Sequence, residues 1–330
     1  MLLTITNNIK TEHTLMAATS TRIVHSLWRG LSCLPLRLLY LVSNLAYYII
    51  YYIVRYRRKV TRRNLCRSFP EKDMKEIRTI EKRFYRTFCD YVMEMLKMMS
   101  MDKEEVKKHL TFEGTELVEK AIREHGKSCV VYIGHNMNWE FITSLPLHFS
   151  EEDNITFGQI YHPLENPDMD RIVLDLREQY GSKCIAMSNT LRYIVNLARE
   201  DRKFVIGFIA DQVPTWESIS HWIDFFHQDT PVFTGTEKIA QRTASAVFYM
   251  SMKQTARGKY TATFHHMADD ASMTAEHELT DMYFRMLEEN IREQPHLWLW
   301  THKRWKRTRK GYAERMEKRK RDRAEKMKNK

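Results

Sequence analysis

Glycine and proline are scarce in this chain, ten and eight among 330 residues. That scarcity excludes collagen-like, linker-rich and many-turned all-β designs. Cysteine is scarce as well: five residues, at positions 33, 66, 89, 129 and 184, with no CxxC pair and no Cys/His cluster. An odd, scattered set argues against a disulfide framework or a structural zinc site and favours a reducing, cytosolic setting. Also absent are GxxxxGK[ST], GxGxxG after a strand, HExxH and the GxSxG nucleophile elbow. With them go most nucleotide, dinucleotide and zinc-protease readings. What is present is 43% hydrophobic content, ample for a packed core in one or two domains.

Acid is lacking at both ends of the chain. From Lys303 to Lys330 there are 15 basic and 4 acidic residues, which accounts for the whole net charge of +11. Residues 55 to 67 hold seven basic residues and no acid, whereas 68 to 302 hold 27 basic against 37 acidic. An acidic body lies between two basic edges. A nucleic-acid-binding protein with a basic tail would show the same excess. The acidic body and the lack of any recognised DNA- or RNA-binding motif speak against it.

The one long apolar run is Leu34 to Val54, LPLRLLYLVSNLAYYIIYYIV. As a helix its 21 residues would reach about 32 Å, close to the thickness of a bilayer's hydrocarbon. Arg37, Asn44 and five tyrosines interrupt it, and tyrosine prefers the interface. No small-residue cleavage site follows, so the segment is expected to stay as an anchor. A tilted span, a helix lying in the interface and a buried helix of a soluble protein all fit the composition. The arginines from Arg55 onward place the body on the cytoplasmic side.

In the body, Ser68-Phe69-Pro70-Glu71 opens a helical pattern with Ile77, Ile80, Phe84, Phe88, Tyr91, Val92 and Met95 on one face. Residues 129–133, 155–161, 204–209, 246–252 and 260–265 are predicted strands, and 236–244 and 277–292 helices. This alternation predicts a three-layer α/β domain around a largely buried sheet.

A His with an acid five positions on occurs three times, at His135/Glu140, His148/Asp153 and His265/Asp270. Five residues of helix place such a pair on opposite faces, so the two can meet only where the His precedes the helix. His135 satisfies this: in SCVVYIGHNMNWEF it ends a buried strand after a Gly turn, before a helix expected to begin near Asn138. Ligands bind at the carboxyl ends of such strands, where a helix N-terminus offers free N–H groups to an oxyanion. Glu140 is expected to hold the imidazole and let His135 act as a general base. A hydrogen-bonded structural His is the plainer alternative.

HNMNWE resembles the His-x4-Asp/Glu motif of glycerolipid-type acyltransferases, and its Asn-Trp-Glu ending resembles the branch containing the bacterial late acyltransferases of lipid A synthesis. Further blocks follow in order: Tyr161-His162-Pro163-Leu164-Glu165-Asn166-Pro167, Arg177, Asn189-Thr190-Leu191-Arg192, Ala210-Asp211-Gln212, Phe225-Phe226, Phe233-Thr234-Gly235-Thr236 and Leu297 to Lys306. His162 departs from the Arg often found there. The resemblance spans roughly 58 to 307 and implies an enzyme of the bacterial inner membrane, with its catalytic domain on the cytoplasmic side. It moves a fatty acyl group from an acyl-carrier-protein thioester, or acyl-CoA, to a hydroxyl of a lipid A precursor, with no metal, no cofactor and no covalent acyl-enzyme. His135 and Glu140 would be catalytic; Asn138, Tyr161, His162, Arg177, Arg192, Asp211, Gln212, Gly235 and Thr236 would line the substrate site.

Arg177 and Arg192 suit phosphate or carboxylate recognition. Gly235 and Thr236 suit an anion at a helix start or a plain cap. Trp298, Trp300 and Trp305 beside Lys303, Arg304 and Lys306 resemble an interfacial belt, with core packing as the alternative. The expected organisation is a polar extension (1–22), a membrane-anchor segment (23–54), an acyltransferase domain (55–307, mixed sheet) and a basic tail (308–330). Relatives acylate phospholipids, glycolipids and amino-acid-containing lipids with the same pair, so those acceptors remain the alternative.

Overall fold

A computed structural model describes residues 26–150 and 154–328. The expected polar extension, 1–22, and Asp153 lie outside the described residues. Seven strands form one sheet in the order β1-β9-β8-β2-β5-β3-β4. They are β1 (Leu110–Glu113), β2 (Cys129–Ile133), β3 (Thr156–Tyr161), β4 (Lys183–Ala186), β5 (Phe204–Ile209), β8 (Ala246–Ala256) and β9 (Lys259–Ala268). β8, β2, β5, β3 and β4 run parallel to one another, β9 is antiparallel to β8, and β1 is parallel to β9. The sheet is therefore mixed, as expected. A separate hairpin pairs β6 (His221–Asp224) with β7 (Asp229–Val232).

Alternation along the central strands divides the interior into two cores. Val130 and Tyr132 of β2, Phe204 and Ile206 of β5, and Val247 and Tyr249 of β8 belong to one cluster. Cys129, Val131, Ile133, Val205, Phe248 and Met250 belong to the other. Every residue of β2 is buried, which is what a strand covered by helices on both faces requires. All five cysteines are free.

The apolar run forms α1 (Leu36–Tyr48), continued by a π-helical turn from Ile49 to Val54 that ends at Arg55, with φ 53°. Together they are long and apolar enough to cross a membrane, by length and composition alone. Leu39, Ser43, Tyr47 and Tyr51, four residues apart, are buried against the body, while Leu41 is 64% and Ile53 75% exposed. The partner is α3 (Met74–Met98), whose N-terminus is closed by a capping box of Asp73 and Glu76. The long helix thus starts later than Ser68 suggested. The residues before it form a separate helix, α2 (Arg58–Ser68), and a turn at Pro70 divides the two.

Further helices are α4 (Lys103–Lys107), α5 (Thr115–Arg123), α6 (Pro167–Glu178), α7 (Thr190–Arg199), α8 (Gly235–Arg242), α9 (Glu278–Glu293) and α10 (Arg309–Lys328). Trp298, Trp300 and Arg304 are buried, so the expected aromatic belt is core at these positions. Trp300 stacks its edge near Trp298 and Phe226, and its Nε1 donates to the Pro295 carbonyl at 2.5 Å.

Asn290 of α9 ties the second half of the chain to the sheet. Its Oδ1 accepts from Asn136 Nδ2, Tyr249 OH and Met252 N, and its Nδ2 donates to the Met252 carbonyl. Asn290→Leu leaves these buried groups unpaired and is expected to cost about 2–3 kcal/mol, read as a lower melting temperature of the purified protein.

Candidate active site

The register of two parallel strands builds the site. Ile133 of β2 lies opposite Ile209 of β5, so the residues two positions beyond, His135 and Asp211, leave the same edge side by side. Gly134 leaves room for Leu287 of α9, whose Cδ1 would lie within 2.5 Å of a Cβ there. His135 Nδ1 meets Asp211 Oδ1 at 2.5 Å, and the His135 backbone N donates to Asp211 Oδ2 at 2.9 Å. Trp298 Nε1 donates to the same Oδ2 at 2.7 Å. Gln212 Nε2 lies 3.0 Å from His135 Nε2.

These contacts assign the tautomer. An ionised Asp211 only accepts, so Nδ1 carries the proton, and the lone pair of Nε2 accepts from the Gln212 amide. Burial alone would raise the Asp211 carboxyl, but the His135 ring and backbone and the Trp298 indole outweigh it and hold it down to about 2. Asp211 side-chain exposure is 1% and that of His135 16%, so the acid is sealed and the base is reachable.

Glu140 does not fill the role expected of it. Its two oxygens accept from Arg177 Nε at 2.8 Å and Nη2 at 2.7 Å, with Trp139 Nε1 at 3.0 Å and Tyr91 OH at 3.4 Å. The carboxylate on His135 is Asp211. The physical reason is the local backbone: the segment after Asn138 is a 3₁₀ helix, Trp139–His148, whose first turn is capped by Asn138 Oδ1 on Glu140 N. From that turn Glu140 faces α6 instead of the imidazole. Arg177 does recognise a carboxylate bidentately, but one from its own chain.

The other expected residues fall along one edge. Tyr161 and His162 end β3, and Arg192 lies in the first turn of α7, which follows β4. Across the order β2-β5-β3-β4, three strand spacings place the β4 end about 14 Å from the β2 end. His162 is exposed, with Nδ1 2.9 Å from the Pro163 carbonyl, and Arg192 is exposed. Gly235 is exposed and Thr236 buried at the start of α8. None of these five is hydrogen-bonded to the His135–Asp211 pair.

Two supports went unread in the sequence. Asn136 forms an antiparallel bridge with Trp298, and Met137 N donates to the Leu297 carbonyl at 3.0 Å, so the Leu297–Trp300 block braces the His135 loop. Tyr91 of α3 packs on Trp139 at 4.6 Å between ring centres, and Trp139 in turn sits edge-on to His135 at 5.1 Å. Among the described residues no group of three His, Cys, Asp or Glu is placed to hold a metal.

A mixed α/β sheet thus carries at its edge a carboxylate-held imidazole that solvent can reach, an arrangement able to act as a general base. Residues 7–307 match the family of bacterial lipid A biosynthesis acyltransferases. The chain belongs to that family and is an acyltransferase. No curated protein matches it at a significant level.

The Glu140–Arg177 pair predicts a coupled loss of stability. Arg177→Met strands a buried carboxylate and should cost about 3 kcal/mol, of which Glu140→Gln in the same chain should restore at least half. Thermal unfolding of the two single variants and the double variant measures the coupling.

Proposed function

We propose that this chain transfers a fatty acyl group from an acyl-carrier-protein thioester to a hydroxyl of a lipid A precursor at the cytoplasmic face of the inner membrane. The observation that carries the reading is the His135 Nδ1–Asp211 contact, which leaves Nε2 as the imidazole nitrogen that can take a proton. The acceptor hydroxyl takes the place beside Nε2 that the Gln212 amide now fills. His135 accepts its proton as the oxygen attacks the thioester carbonyl carbon, and Asp211 stabilises the imidazolium. The displaced amide can donate to the oxyanion. Collapse breaks the C–S bond, and the imidazolium returns its proton to the departing thiolate, giving an ester and a free thiol.

In this reading Asn138, Glu140 and Arg177 hold the loop. Tyr161, His162 and the exposed cation Arg192 face the acceptor along the edge, where a phosphate some 14 Å from the reacting hydroxyl would meet Arg192. Gly235 and Thr236 are assigned to the substrate side at the start of α8. The test is direct: purified protein, an acyl-carrier-protein thioester and a lipid A precursor should yield a product heavier by one acyl chain. His135→Ala should abolish this without loss of fold, and Asp211→Asn should slow it about 10²–10⁴-fold, since the wrong tautomer is then held. Because Asp211 stays ionised down to about 2, the acid limb of the rate profile should follow one proton. Near-normal turnover of His135→Ala would falsify the assignment.

The N-terminal helix is proposed to lie in the membrane interface. One face, Leu39 to Tyr51, is covered lengthwise by α3, which carries Arg86, Asp90 and Glu94 there. A span would draw those charges into hydrocarbon, at a cost of about 2.5–3.5 kcal/mol each. Lying flat, the helix buries its exposed Leu41, Leu45, Ile49 and Ile53 in lipid and leaves α3 in water. A protease should then cut an N-terminal tag from the same membrane side as the body, whereas a tag on the opposite side would establish a span.

A further inference from the structure

Glu94 sits inside the protein with its side chain fully covered, and among the described residues no basic group pairs with it. Three neutral donors from three separate parts of the chain meet its two oxygens. Tyr40 OH of α1 donates to Oε1 at 2.9 Å; Tyr260 OH of β9 donates to Oε2 at 2.9 Å; Asn138 Nδ2 of the His135 loop donates to Oε2 at 3.2 Å. Burial pushes the Glu94 carboxyl up to about 7 against the pull of these donors. A position that needed filling alone would be served better by an apolar side chain, because a buried acid without a cation costs stability.

The connections beyond Glu94 give it a use. The other end of Asn138 caps Glu140, the residue that grips Arg177. Tyr40 lies on α1, which a neighbouring polar set also fastens to the body: Ser43 Oγ donates to Asp90 Oδ1 at 2.5 Å, and Arg257 forks onto Asp90 while also reaching Asn44 Oδ1. Gly258, next to Arg257, has φ 71°, and a Cβ there would collide with the Tyr40 hydroxyl, so the backbone yields space for this junction. A continuous chain of hydrogen bonds therefore runs from the apolar N-terminal helix through Glu94 to the first turn after the catalytic loop.

We propose that Glu94 is a positioning residue that transmits the seating of the N-terminal helix to the His135 loop. The proposal rests on the reading of that loop as the reacting centre. It gives α1 a second task besides attachment: the loop is held in place through Tyr40 and Glu94 when the helix lies against α3.

The experiment uses the full chain in detergent micelles, with hydrogen exchange of the segment 134–142, melting temperature, kcat and KM as readouts. Glu94→Leu should lower kcat about tenfold or more with KM changed little, as small displacements of reacting groups do, and exchange at 134–142 should rise. Glu94→Gln should recover most of kcat, since its carboxamide oxygen can serve Tyr260 and Asn138 while its NH₂ faces the Tyr40 oxygen. Tyr40→Phe should raise exchange at the same segment, although it lies outside the site. A folded Glu94→Leu with unchanged kcat and unchanged exchange overturns the proposal, as does equal loss in the Leu and Gln variants. If Glu94→Leu does not fold, Tyr40→Phe decides on exchange alone. If the unaltered protein transfers no acyl chain, the functional reading fails, and the exchange comparison still judges the linkage.

Discussion

The site depends on one constraint, the pairing of β2 with β5 in parallel and in the register that sets Ile133 against Ile209. Parallel strands end at the same edge, and two residues beyond that register His135 and Asp211 emerge side by side. A slip of one residue would turn every side chain of β2 to the opposite core and carry the imidazole away from its acid. The strand interior guards against the slip: Val130 and Tyr132 fit one core, and Val131 and Ile133 the other. Gly207 contributes too, because a Cβ there would lie 2.8 Å from Ile133 Cδ1. The placing of His135 beside Asp211 is in this sense a by-product of packing on both faces of the sheet.

Around the loop that follows stand three buried carboxyl groups, each given a different partner. Asp211 faces an imidazole and an indole and is held down to about 2. Glu140 faces the guanidinium of Arg177. Glu94 faces neutral hydroxyls and an amide and is pushed up to about 7. Depth does not separate them, since all three are buried; the chemistry of the neighbours does. The result is one acid that holds an imidazole, one that locks a helix to the loop, and one that joins three elements through neutral donors.

Much of this was legible in the sequence, for physical reasons that differ from element to element. Strands 129–133 and 204–209 stand out because continuous apolar runs bounded by turns are what a doubly covered strand requires. β1 and β4 were not read: each has four residues at a sheet edge, half of them facing outward, too few for a pattern. His135 is legible from its place between a buried strand and the start of a helix, whereas local spacing points to Glu140 as its partner. The acid that reaches it is 76 residues away, on a neighbouring strand whose place in the sheet no local pattern reveals. The same limit hid the Trp298 indole, 87 residues beyond Asp211. Asp211 was present among the candidates through family resemblance, but its role needed the strand order.

The charge distribution takes on a different meaning once the chain is folded. In sequence the basic runs 55–67 and 303–330 are separated by the whole acidic body, yet the fold brings their inner ends together. Arg57 Nη1 donates to the Thr301 carbonyl, and Asn64 Nδ2 donates to the carbonyls of Trp300 and His302. Part of the charge is spent internally, on Glu81 by Arg58 and Arg62 and on Asp229 and Glu217 by Arg309 and Arg315. What remains exposed lies along α10 above all, where Lys310, Lys318, Arg319, Lys320 and Arg321 are exposed. A cation near an anionic bilayer contributes about 1 kcal/mol. On the reading that α1 lies in the interface, such cations add to the attachment while the helix meets lipid along its exposed face, the orientation in which Tyr40 still reaches Glu94.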